Sequence, residues 1–385
     1  QAAVAEPVGA AVQAEQAAAE GEVPLLPFQA AFFETDMPER HHWNQSLLLR
    51  GREPLAVPAL EAALAAVVQH HDAFRLRFHR TTDGRWQQTY EELPARWREE
   101  WLWVRDAANP AQIAALCDEA QRSLDLAHGP LLRPLVIRLP GGDWRLLLAA
   151  HHLVVDGVSW RIVLDDLATA YAQCRDGEPV VLPPKSASLQ AWARALQSEA
   201  AAMDGELAHW QALADVPVAL PCARPEGANT VARRSSIAWQ LDRARTQALL
   251  KTAPAAYRTQ VNDLLLTALG RALCGWSGHA QLAILLEGHG REDILPAQKA
   301  LDLSRTTGWF TSLFPVRLDP LGAWGDAIKR VKEDLRRVPQ RGLGHGVLRH
   351  LGTDAQQQAL RALPRPQLVF NYLGQVDSAA EAAWS

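Results

Sequence analysis

The stretch that most restricts how this chain folds is Trp144–Ala150, a strongly apolar strand that ends on two histidines and leads through a short loop into a helical pattern. Beyond the loop His151–Gly157, the apolar residues Trp160, Val163, Leu164, Leu167 and Tyr171 recur at helical spacing within Val158–Cys174. A strand buried among helices, followed by an amphipathic helix, belongs to a mixed α/β layer structure.

The rest of the chain follows the same grammar. Pro58–His71 has helical spacing at Leu60, Ala63, Leu64, Val67 and Val68, and Phe74–Phe78 alternates as a strand does. Thr81–Gly84 supplies turn chemistry, and Trp86–Tyr90 returns as a hairpin partner. A helix is predicted near Ala111–Ser123 and a strand near Leu131–Leu139. Gly177–Lys185, rich in proline and glycine, marks a lobe boundary. Beyond it, helices are expected near Leu189–Ala202, Asp204–Leu213, Val261–Trp276 and Gly322–Val338. Strands are expected near Ser236–Leu241, Gln281–Glu287, Ser312–Leu318 and Gln367–Tyr372. Two α/β lobes in tandem are the economical arrangement: residues 1–20 as an Ala-rich linker from an upstream domain, 21–180 as one lobe, and 181–385 as the other.

At 385 residues and 48% hydrophobic content the chain can bury a large core. Its formal net charge of −4 favours neither nucleic acid nor an anionic membrane surface. The four cysteines, Cys117, Cys174, Cys222 and Cys274, are widely spaced without a CxxC pair, so neither a zinc site nor a disulfide framework is expected. No signal peptide or bilayer-spanning run is evident, and a cytoplasmic location is expected.

Two clusters carry candidate chemistry. In HHLVVDG, His151–Gly157, a histidine is displayed at a strand end, where its near-neutral pKa suits proton transfer. Histidine pairs also occur at His41–His42 and His70–His71, so the dipeptide alone says little. Asp156, just before a glycine able to turn sharply, either orients the imidazole or pairs with an arginine to hold the loop. The second role is preferred, with Arg75 or Arg77 as the expected cation. In EGHGRE, Glu287–Glu292, Glu287 closes an apolar strand, where partial burial raises a carboxyl pKa. A plain surface pair with Arg291 explains that glutamate equally well. His289 reads as structural, and its flanking glycines permit a tight backbone. Adjacent histidines on extended chain point apart and HExxH is absent, which argues against metal. GxGxxG, Walker and GxSxG patterns are also absent.

HHLVVDGVSWRIVLDDL resembles the HHxxxDG core of condensation-type domains of nonribosomal peptide synthetases. EGHGRE, DLSRTTGWFTSLFPV (Asp302–Val316) and FNYLGQ (Phe370–Gln375) resemble the epimerization subfamily in particular. The likeness extends from PLLPFQAAFFE (Pro24–Glu34) through FNYLGQ. It implies two chloramphenicol-acetyltransferase-like lobes forming a V with an interlobe tunnel. It also implies inversion, L to D, at the alpha carbon of an aminoacyl or peptidyl thioester. The same likeness implies that no cofactor is bound permanently and that the substrate arrives on the phosphopantetheine arm of an upstream peptidyl carrier domain, with adjacent synthetase modules as further partners.

Carried over by position, His152 and Glu287 are the acid/base residues. His151, Asp156, Gly157, Arg305, Asn371 and Tyr372 support them, and Ser304 and Trp309 are tunnel or substrate candidates. A backbone N–H near Gly157, Asn371 and Tyr372 are alternative donors to the oxyanion. The direction of proton flow and the identity of the amino acid stay open. Two features depart from the family pattern: Asp293–Leu301 is longer than usual, and the sequence stops at Ser385, soon after FNYLGQ, where family members continue through a further strand and helix, so either that part lies outside this sequence or the second lobe is incomplete at its end. Peptide-bond formation by a condensation domain and noncatalytic docking are the alternative readings.

Overall fold

The computed structural model describes residues 14–51, 53–94, 97, 101–293 and 301–374. They form two compact units. One comprises the chain up to Glu199 together with His289–Thr311 and the segment from Leu373; the other comprises Ala200–Gly288 and Ser312–Tyr372.

This partition differs from a single division between residues 180 and 181, because a late segment is bonded back into the first unit. The Ala187 N–H donates to the Asp302 carbonyl at 2.8 Å, and the hydroxyls of Ser186 and Thr306 share a hydrogen bond at 2.9 Å. Of the expected linker, residues 1–13 lie outside the described residues, as do 294–300 of the loop after EGHGRE and Gln375 of FNYLGQ.

In the first unit, β1 (Gly21–Val23), β4 (Trp86–Tyr90) and β3 (Leu76–Arg80) make a small antiparallel sheet, while β2 (Asn44–Arg50), β7 (Trp144–His151), β6 (Leu132–Arg138) and β5 (Trp103–Asp106) make a larger one in the order β2-β7-β6-β5. The β2/β7 and β7/β6 pairs are antiparallel and β6/β5 is parallel. Leu146, Leu148, Ala149 and Ala150 of β7 are fully buried, the burial that its uniform apolarity demands.

Helices α1 (Pro27–Glu34), α2 (Val57–His70), α3 (Pro110–Arg122), α4 (Gly157–Arg175) and α5 (Leu189–Glu199) complete this unit. α2 buries all five of its periodic apolar residues and lies against α4. α3 starts on an Asn109 cap that accepts from the Gln112 N–H at 3.0 Å, with Pro110 at the first helical position. Phe74 and Arg75, expected as the start of a strand, lie instead in a 3₁₀ turn over Asp72–Arg75; extended pairing begins at Leu76.

The second unit contains α6 (Leu207–Gln211), α7 (Arg243–Gln247), α8 (Ala253–Tyr257), α9 (Val261–Ser277), α10 (Trp324–Arg336), α11 (Leu343–His350) and α12 (Asp354–Arg361). Its sheet has the order β10-β8-β9, from Val369–Phe370, Leu282–Gly288 and Ser312–Leu318, with β8/β9 antiparallel and β10/β8 parallel. The strand expected near Ser236–Leu241 does not form. That segment joins none of the sheets among the described residues, and its Ile237 and Trp239 side chains are exposed. Alternation favours a strand only where a partner edge supplies the hydrogen bonds.

Candidate active site

β7 ends at His151, a 3₁₀ turn spans His152–Val154, and Asp156 caps α4. Its carboxylate accepts from the Ser159 N–H at 2.7 Å and from the Ser159 hydroxyl at 2.8 Å, satisfying a helix-start donor that would otherwise be orphaned.

The cation paired with Asp156 is Arg291, at 3.1 and 3.2 Å, rather than Arg75 or Arg77. Arg75 is taken by Asp72 and by the Ala19 and Glu91 carbonyls, and Arg77 donates to the Phe74 and Leu76 carbonyls. The Asp156–Arg291 pair also answers the simpler account of Glu287, because Arg291 is committed here and is itself buried. It further donates to the Leu303 and Thr306 carbonyls at 3.0 and 2.6 Å, and its guanidinium lies 3.9 Å from the centre of the Phe310 ring. Burial lowers its pKa while Asp156 opposes the shift. The Phe310 N–H closes the network on Asp156 at 3.2 Å. Gly157, expected to make a sharp turn, adopts no positive φ; it is the first residue of α4, and its backbone is exposed.

The two histidines do point apart. His151 is fully buried: its Nδ1 accepts from the Leu153 N–H at 3.2 Å and its Nε2–H donates to the Arg40 carbonyl at 3.0 Å. Burial pushes its pKa down to about 3, so it serves as a neutral strut.

His152 is half-buried. Its Nδ1 lies 2.8 Å from the Val155 carbonyl, which can only accept, so the proton sits on Nδ1 and the lone pair on Nε2. Its ring stacks on Trp309 with centroids 4.0 Å apart and planes at 24°. Burial lowers its pKa, with Asp156 and the Val155 carbonyl acting in the opposite direction. A neutral imidazole with an unprotonated Nε2 is a base.

In the second unit Glu287 stands near the end of β8, half-buried, paired in register with Leu313. Burial raises its pKa, and a side-chain hydrogen bond from Asn371 moderates the rise. Tyr372 follows directly, partly exposed. Gly288 is required where it stands: a Cβ would lie 2.6 Å from the Ser312 hydroxyl oxygen. His289 pairs with Glu292 at 3.1 Å and accepts from the Arg291 N–H, the structural part expected of it.

Among the candidates, His152, Asp156, Gly157 and Trp309 therefore gather at one loop, and Glu287, Asn371 and Tyr372 at one strand end. Arg305 is engaged elsewhere, with the buried carboxylate of Asp166, and Ser304 lies exposed in a turn where its N–H donates to Asp302 at 2.8 Å. His70, His71 and Asp166 bring three ligand-type atoms within 4.8 Å of one another. Both oxygens of that carboxylate are already bonded, one to His71 at 2.8 Å and the other to Arg305, so the group is better suited to an ion-paired brace than to a cation. Sequence reasoning missed the role of Gln45 and Trp160, a pair joined by a hydrogen bond, with Gln45 also reaching His152; Gln45 lies in no motif, and Trp160, within HHLVVDGVSWRIVLDDL, reads from the sequence only as part of a helix's apolar face.

The model of the condensation domain matches residues 19–384. The chain belongs to the condensation-domain family. Among its relatives, a linear gramicidin synthase of Brevibacillus parabrevis is 44% identical over 376 residues, covering 94% of this chain and 7% of that protein. Chondramide synthase of Chondromyces crocatus is 43% identical over 97% of this chain and 10% of its own length. The chain thus spans a small part of the curated relatives it matches. Among solved structures, the epimerization domain from the third module of tyrocidine synthetase B superposes with a TM-score of 0.84 at 37% identity, covering 96% of this chain and 83% of that one. The X-domain from teicoplanin biosynthesis, at 24% identity, shares the fold, with a TM-score of 0.71 over 94% of this chain and 77% of that one. No helix among the described residues is long and apolar enough to cross a membrane.

Proposed function

We propose that this condensation-family domain inverts the alpha carbon of an aminoacyl or peptidyl thioester presented on the phosphopantetheine arm of a carrier domain in nonribosomal peptide synthesis. The observation that carries the reading is the hydrogen bond between His152 Nδ1 and the Val155 carbonyl at 2.8 Å, which places a proton on Nδ1 and leaves Nε2 as the basic nitrogen. The similarity to a solved epimerization domain supports the same reaction.

A thioester acidifies its alpha C–H, and removal of that proton leaves an enolate whose oxygen carries the charge. His152 and Glu287 are the acid/base pair: His152 Nε2 takes the proton, and Glu287 returns one. Burial raises the pKa of Glu287, which favours its acid form relative to an exposed carboxylate. The opposite direction uses the same pair with roles exchanged. His151 anchors the strand end, Asp156 holds the loop, and Asn371 tunes Glu287. The backbone N–H groups near Gly157 and the side chains of Asn371 and Tyr372 are the donors available to the oxyanion. The chain's own residues then supply the whole acid/base cycle.

The test presents an L-aminoacyl carrier domain to the protein in deuterated water and examines the released acid. Deuterium at the alpha carbon together with D product is expected. His152→Ala and Glu287→Gln are each expected to reduce exchange by about 10²–10⁴-fold. A dipeptide formed only on addition of an acceptor carrier, without alpha deuterium, would replace this reading with condensation.

A further inference from the structure

The nitrogen that His152 needs for proton transfer is occupied. Gln45 Nε2 lies 2.8 Å from His152 Nε2, and Gln45 Oε1 accepts from the Trp160 indole N–H at 2.9 Å. An indole N–H only donates, so Trp160 fixes which end of the Gln45 amide faces which neighbour. The carbonyl must face Trp160 and the NH₂ must face His152. Since the Val155 carbonyl fixes the proton on Nδ1, the amide donates to the Nε2 lone pair. The result is a one-way chain of donors: Trp160 to Gln45, Gln45 to His152, His152 to Val155.

Each member is held by the fold. Gln45 is on β2, paired in register with Ala150 of β7, and the His152 N–H donates to the Trp43 carbonyl at 2.9 Å. Trp160 is buried on the first turns of α4, the helix that Asp156 caps. Strand β2 and helix α4 therefore approach the imidazole from outside its own loop.

We propose that Gln45 is a positioning residue for His152: it keeps the ring a neutral base between turnovers by donating to Nε2, and yields that nitrogen to the substrate's alpha proton. Protonation of Nε2 sets an N–H against the amide NH₂, and turning the amide over sets its NH₂ against the Trp160 N–H. The imidazolium is thus disfavoured until substrate displaces the amide. Its positive charge, once formed, lies over the Trp309 ring, which stabilises a cation. The charged groups around His152 are Asp156, which favours the imidazolium, and its partner Arg291, with His151 behind it and His41 and His42 near His151. None of these donates to Nε2.

The inference rests on His152 being the base proposed above, and its test has a readout independent of turnover. In the full chain labelled with ¹⁵N-histidine, the His152 resonances, assigned by their loss in His152→Gln, report both tautomer and titration midpoint. Gln45→Ala removes the donor and is expected to raise the midpoint by about half to one pH unit. Gln45→Glu keeps the size and the acceptor for Trp160 but replaces the donor with a carboxylate, and is expected to raise it further. Trp160→Phe frees the amide to turn over and is expected to shift the midpoint in the same direction as Gln45→Ala, which keeps the proposal testable should a Gln45 variant fail to fold. The acid limb of the kcat/KM profile for alpha-proton exchange is expected to follow these midpoints, with Gln45→Glu regaining rate at higher pH. Unchanged midpoints in the folded variants would overturn the role of Gln45. Absence of exchange in the unmodified protein, with the midpoints shifting as described, would overturn the epimerization reading and leave the donor chain standing.

Discussion

Removing the charge of Asp156 exposes how much of the His152 loop depends on one carboxylate. In Asp156→Asn one oxygen can still cap α4, but the amide NH₂ then faces the Phe310 N–H and the Arg291 guanidinium. Arg291 is left charged at a site where its side chain is 7% exposed, a loss of about 3–5 kcal/mol. Arg291→Met leaves the reciprocal problem, a carboxylate 8% exposed without its cation, and a loss of similar size. The double variant leaves no unpaired charge, so its cost is expected to fall short of the sum of the singles by about 2 kcal/mol or more. Scanning calorimetry is the assay. For a unit of this size each single variant is expected to lower Tm by roughly 6–20 °C, with the double variant close to one single rather than to both together. Because the pair is buried, the coupling is expected to persist at high salt. Additive losses, or a coupling abolished by salt, would refute the assignment of this pair as the lock on the loop.

His151 and His345 are both held neutral by burial, at pKa values of about 3 and about 4, below the ordinary value of 6.5 that they regain on unfolding. Their contribution is fully present above pH 6.5 and is lost as pH falls, each adding a slope of about 1.4 kcal/mol per pH unit in that window. Equilibrium unfolding from pH 7 to pH 4 should show this slope, and His345→Gln should reduce it by about one proton's worth. Glu287→Gln removes a carboxylate that burial disfavours, so it should leave Tm unchanged or raised while slowing alpha-proton exchange by about 10²–10⁴-fold; a large drop in Tm would mark Glu287 as a structural residue. Gly342→Ala drives a Cβ into the Phe314 ring at a φ of +89° and should cost more than about 2 kcal/mol, measurable by the same calorimetry.

Much of the fold could be read from periodicity. β4 and β9 have the expected bounds, and α2 and α9 differ from expectation by about a residue at their ends, because a continuous apolar face determines such elements locally. β2 is not legible in the sequence, since Leu47–Leu49 run consecutively, none of its residues is fully buried, and its pairing with β7 is a long-range choice. Ser236–Leu241 failed for the opposite reason: the alternation is present but no described strand pairs with it. At the site, the roles of His152 and Asp156 were suggested by a loop whose residues are adjacent in sequence. The cation on Asp156 was misassigned because proximity along the chain favoured Arg75 and Arg77, while Arg291 arrives from 135 residues away. Gln45 was invisible for the same reason. An ordinary polar residue on a strand acquires meaning only when the fold sets it against an imidazole and an indole.

The return of His289–Thr311 to the first unit has a consequence for synthesis. On the ribosome the HHLVVDG loop emerges well before Arg291, Trp309 and the Phe310 N–H that complete it. At about 5–20 residues per second the nascent loop waits on the order of 10 to 30 s with Asp156 lacking its cation and His152 lacking the ring it stacks on. The basic centre is therefore assembled late, after the strands and helices that carry it have already been made, and a chain interrupted before Arg291 holds its histidines without the groups that give them their chemistry.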